Sequence, residues 1–171
     1  MSALLIIFSL LIAAGIQALL PGWSVMGHVK LPLLLGVTIY FSLTRKRFTA
    51  MMVALLAGFL QDTQSLMPLG CAAISFCIVA FTINRYRDEV YIPHPITHVF
   101  FGAVTAAIVD VMAALFLILS VKGVNLGLSI VLMRMLGSFL LGAISAPFVY
   151  KMVWKMDVAL GNLNRRGTAW Q

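Results

Sequence analysis

The sequence predicts an all-α integral membrane protein, a polytopic bundle of six transmembrane helices with both termini in the cytoplasm. Three observations carry this. Of 171 residues, 62% are hydrophobic and only 10% charged, and the mean hydropathy is +1.05. A soluble domain of this size has too much surface for its volume to hide so much apolar area. The apolar runs are continuous and not alternating, which selects helices over a transmembrane barrel. Lipid offers the backbone no hydrogen bonds, and a helix satisfies its own. Finally, the basic residues fall mostly on one side of the predicted spans.

The helices are expected over 2–20, 29–44, 48–62, 69–84, 96–120 and 127–154. The first, SALLIIFSLLIAAGIQALL, has no basic stretch ahead of it and nearly spanning length, so it reads as a retained helix and not a cleaved signal. The second is interrupted at its start by Pro32. The third and fourth are short for a hydrocarbon core about 30 Å thick. Five spans result if the second and third instead form a shallow hairpin. The fourth contains Cys71 and Cys77, six apart on different faces, which read as small packing residues. No boundary, repeat or low-complexity segment divides the chain, so 1–171 is one transmembrane domain, with 156–171 a flexible cytoplasmic tail.

Arg45, Lys46, Arg47, Arg85, Arg87, Lys151, Lys155, Arg165 and Arg166 share one side of six spans, against Lys30 and Lys122 on the other. This bias places that side in the cytoplasm. The net charge of +7 is thus topology together with affinity for anionic lipid headgroups, and argues no role with nucleic acid.

Asp62, Asp110 and Arg134 lie within the spans. Ionisable groups are costly in lipid, so each needs a partner. Counting helical rise from Arg47, Pro95 and Lys151 puts all three roughly 20–25 Å above the basic side. On the fifth helix Ala103, Ala106, Ala107, Asp110, Ala113 and Ala114 form one face of small residues with the aspartate at its centre. The sixth helix offers Ser138, Gly142 and Ala146 four apart, with Arg134 one step further along the row. The expectation is a polar cluster in which Arg134 bridges Asp62 and Asp110 or pairs with one of them. Such a cluster holds a bundle in register. An aspartyl dyad sharing one proton is the competing chemistry, and a cation at equal depth disfavours it. His94 and His98 stand four apart without a carboxylate or cysteine to complete a metal set. No cofactor, metal or catalytic residue is expected.

The segment GFLQDTQSLMPLG over 58–70, followed by CAAISFCIVAFTI, resembles the signature of the rod shape-determining protein MreD family. The pattern Gly-x-x-x-Asp then Ser-x-x-Pro-Leu-Gly is matched by Gly58, Asp62, Ser65, Pro68, Leu69 and Gly70. Asp110 within IVDVMAALF and Pro147 in the last helix are similar to further family features. The resemblance implies a non-enzymatic scaffold of the bacterial inner membrane that serves cell elongation and peptidoglycan synthesis. Its implied partners are a bitopic MreC-like protein, the MreB filament, RodZ and the RodA/penicillin-binding-protein synthase, with a homo-oligomer also open. The family fold is similar to the substrate-binding components of energy-coupling-factor vitamin transporters, which supplies an alternative function. Asp62, Ser65 and Gln61 are expected in a buried corner, satisfying nearby backbone and Arg134, with Asp62 in reach of Arg134 or of its own loop's amides, Pro68 starting the next helix and Gly70 allowing close approach.

Overall fold

The computed structural model describes residues 2–20, 31–65, 69–86, 95–120 and 128–159. Among them the regular structure is entirely helical: α1 (Ser2–Leu19), α2 (Leu33–Thr44), α3 (Arg47–Gln64), α4 (Cys71–Tyr86), α5 (Pro95–Ser120) and α6 (Leu128–Ala159). All six expected helices are present. Thr97–Phe116 in α5 and Val131–Ala159 in α6 are long and apolar enough to cross a membrane, while α1, α2 and α4 are shorter apolar helices.

The core is built on α2. It touches each of the other five helices, and every residue from Leu33 to Leu43 is buried. A helix surrounded by protein cannot pass its polar side chains to water. Its hydroxyls turn back onto their own backbone: Thr38 Oγ1 donates to the Leu34 carbonyl at 3.0 Å, Ser42 Oγ to Thr38 at 2.7 Å and Thr44 Oγ1 to Tyr40 at 2.8 Å. Its start is set by Pro32, whose carbonyl accepts from the Gly36 amide at 3.1 Å. A proline is tolerated there because no intrahelical donor is needed yet. The second helix thus begins at Leu33, and the expected start at 29 lies outside the described residues.

Two close helix pairs flank this post. The α5–α6 seam is the most extensive in the bundle, followed by α3–α4. Each is closed by glycine. A Cβ on Gly58 of α3 would lie 2.2 Å from the Ala73 Cα of α4. One on Gly102 of α5 would lie 2.4 Å from the Gly142 carbonyl oxygen of α6. Small residues let the backbones meet, and dispersion over the close seam replaces the hydrophobic drive absent between helices in lipid.

Large apolar side chains point outward on all five helices around α2, among them Phe8, Phe48, Ile78, Phe100 and Phe148. Among the described residues, buried polar groups meanwhile sit inside, Gln17, Asp62, Ser75 and Asp157 included. The α6 helix runs five residues past its expected end. Residues 156–159, assigned to the tail from sequence, are its last turn, because Asp157 there is fully buried and bonded. Pro147 lies within α6 without ending it.

Candidate functional site

The corner between α3 and α4 forms around Asp62. This residue lies in the last turn of α3, which continues to Gln64, two residues beyond the expected end. Its carboxylate is almost fully buried and faces the first turn of α4. Oδ2 accepts from the Gly70 amide at 2.7 Å and Oδ1 from the Ala72 amide at 3.0 Å. Helix N-termini carry unsatisfied amides and a partial positive charge, so Asp62 caps α4 from another helix. Gly70 adopts a φ of +103°, which favours glycine, and its carbonyl accepts the first α4 bond, from Ile74 at 2.9 Å. Ser65 closes α3, its amide donating to the Asp62 carbonyl at 3.2 Å. Pro68, the expected helix start, lies outside the described residues.

The neighbouring glutamines bind α1 and α2 to this corner. Gln17 of α1 donates through Nε2 to Gln61 Oε1 at 2.6 Å and accepts the Leu34 amide of α2 at 3.2 Å. Gln64 Nε2 reaches the Ala14 carbonyl of α1 at 3.1 Å. One amide side chain thereby satisfies an orphan donor at the start of the central helix.

The opposite end of α2 is held as tightly. Asp157 of α6 accepts from Tyr40 Oη at 2.7 Å and from Arg45 at 2.8 and 3.1 Å. Arg45–Asp157 is the ion pair found among the described residues. Asn84 of α4 donates to the carbonyls of Ser42 at 2.9 Å and Arg45 at 3.2 Å, covering the C-terminus of α2. Tyr150 stands edge-on to Tyr40, with centroids 5.1 Å apart, and His98 of α5 stacks on Tyr150 at 3.7 Å. Five helices therefore converge here: α2 and α6 through the ion pair, α4 through Asn84, α5 through His98, and α3 through Arg47, whose guanidinium lies 4.0 Å from the Phe81 ring of α4.

The expected three-membered cluster is corrected by this arrangement. Asp62 and Asp110 stand on helices that make no contact with one another, and α3 does not touch α6 either, so Arg134 cannot bridge them. The depth count from sequence was one-dimensional and carried no lateral information. α2 and α4 lie between the two sites. Asp62 instead bonds the amides of its own corner, the second of the two expectations for it. Asp110 accepts a hydrogen bond from Ser138 Oγ across the α5–α6 seam, and Arg134, one turn from Ser138, adds its charge to the same carboxylate. A shared-proton dyad of Asp62 and Asp110 has no geometric basis.

The small-residue face is where the sequence placed it. Ala103, Ala106, Ser138, Gly142 and Ala146 are buried, with Ala107, Ala113 and Ala114 half-buried further along α5. The tightest point is where Gly142, within that face, meets Gly102, which lies beside the alanine row. Both cysteines are free thiols. His94 lies outside the described residues, and among those described no set of three potential ligands could hold a metal ion.

Sequence reasoning missed Asp157 and Tyr40. A signal existed: Val149, Val153 and Asp157 recur at intervals of four, so the aspartate continues a buried row. Comparison with known proteins adds no relative: no family model, curated protein or solved structure matches the chain.

Proposed function

We propose that the chain is a multi-pass protein of the bacterial inner membrane, with six spans and cytoplasmic termini, that works as a non-enzymatic scaffold in cell elongation. In this reading it binds an MreC-like bitopic protein and links it to the MreB filament, RodZ and the RodA/penicillin-binding-protein synthase, as the MreD family it resembles does. The observation that supports the reading is how the signature residues are used. Gly58 carries the α3–α4 contact, Asp62 caps α4, Ser65 closes α3 and Gly70 supplies the turn. A signature spent on holding helices together fits a protein whose task is to present a fixed shape. The outward apolar side chains favour lipid as the surrounding solvent.

The test is purification of the intact complex from native membranes after mild cross-linking. Recovery of a bitopic coiled-coil protein and wall-synthesis components supports the scaffold. Recovery with ATPase subunits and a bound vitamin overturns it in favour of a transporter subunit. A chain released from membranes by alkaline carbonate would remove both readings.

A further inference from the structure

A groove runs along the outside of the bundle between α1 and α6. These two helices barely touch each other, while each packs on α2, which forms the floor. The groove has a volume of about 230 Å3 and is lined by Ser9, Ala13 and Ile16 of α1, Val37 of α2, and Ser145 and Val149 of α6, among others. Its two hydroxyls are turned away from it: Ser9 donates to the Ile6 carbonyl at 2.9 Å and Ser145 to Gly142 at 3.4 Å. The wall therefore offers nothing to a polar ligand and everything to a hydrocarbon.

Its dimensions select among hydrocarbons. Ser9 and Leu20, both lining it, lie roughly 16 Å apart along α1. Spread over that length, the volume describes a long, narrow channel with a wholly apolar wall, which suits an extended hydrocarbon chain. A helix with side chains is about 10 Å across and does not enter. The rim adds charge. Ile144, Phe148, Lys151 and Lys155 follow one another at i, i+4, i+7 and i+11 along α6, the first two bordering the groove and all four exposed. The row turns from apolar to cationic toward the end of α6 that holds Asp157.

We propose that this groove binds one acyl chain of an anionic phospholipid, with its phosphate held by Lys151 and Lys155. The inference rests on the membrane reading above but not on the scaffold role. It is tested by native mass spectrometry of the full chain in detergent, titrated with phosphatidylglycerol or phosphatidylcholine of equal chain length. The expected result is one retained phosphatidylglycerol per chain, preferred over phosphatidylcholine by on the order of 30-fold. Lys151→Gln with Lys155→Gln, both at exposed positions, removes the preference and keeps weak binding of either lipid. Ile16→Trp, which fills the groove from its open side, removes binding of both. Equal retention of the two lipids by the unaltered chain, or undiminished retention by Ile16→Trp, overturns the proposal. So does a photo-crosslinker at position 16 that captures a protein in native membranes where a lipid adduct is expected. A membrane-integral chain without lipid preference defeats this inference alone, whereas a chain released by carbonate defeats the membrane reading beneath it.

Discussion

Replacing Asp62 with alanine leaves the amides of Gly70 and Ala72 without an acceptor in a place that protein shields from water. Each orphaned donor is expensive, and the loss is expected to lower stability by about 3 kcal/mol. Asp62→Asn keeps one accepting oxygen and should fall near half that, both read from thermal unfolding in detergent. At the other end of α2, Arg45→Gln leaves the buried Asp157 carboxylate without its guanidinium and Asp157→Asn removes the ion pair, and each should cost about 3–5 kcal/mol. The double variant should cost less than the sum, the excess being the coupling of the pair. Additive effects would mean that the pair is not coupled. Tyr40→Phe removes a single bond to the same carboxylate and should cost about 1.5–3 kcal/mol. Which of these residues mattered was unevenly legible. Asp62 announced itself as a charge between apolar runs followed by Pro-Leu-Gly. Asp157 sits among lysines and beyond the last strongly apolar turn, where a carboxylate looks like surface.

The helices themselves were readable because apolar runs and polar interruptions alternate sharply along the chain. Their ends shifted where side chains from distant helices supplied the caps, as Asp62 does for α4. Contact between helices was half legible. The alanine and Gly142 rows predicted the α5–α6 seam and one partner of its closest approach, Gly142, but not the other, Gly102. The glycines give a graded test. Gly58→Ala and Gly102→Ala each drive a methyl into backbone, at 2.2 Å from the Ala73 Cα and 2.4 Å from the Gly142 oxygen. Each should part its helix pair and cost about 1–3 kcal/mol or more. Gly15→Ala in α1 meets nothing within 4 Å and should be neutral or stabilising by up to about 1 kcal/mol, since alanine favours the helix. If all three behaved alike, glycine would be acting through helix propensity and not through contact.

At the scale of the whole molecule, α2 is fastened at each end by side chains from other helices. Gln17 satisfies its first turn; Asn84 and Asp157 hold its last. This centrality was not legible beforehand, because α2 is the shortest of the six helices and a uniformly apolar stretch looks the same in lipid as in a core. In the proposed orientation the Arg45 end faces the cytoplasm. Single cysteines placed at 46 and 155, on a background with Cys71 and Cys77 replaced, should label only after the inner face is exposed. A cysteine at 69 should label from outside. Labelling of 46 from outside would invert the topology.

The link between Asp157 and the end of α2 also has a consequence in time. Tyr40 and Arg45 precede their shared carboxylate by 117 and 112 residues. A chain still being synthesised holds both without this carboxylate until its last helix arrives. A product ending before residue 157 therefore lacks the contact that ties α6 to the end of α2. Completion of the chain and closure of that tie are the same event.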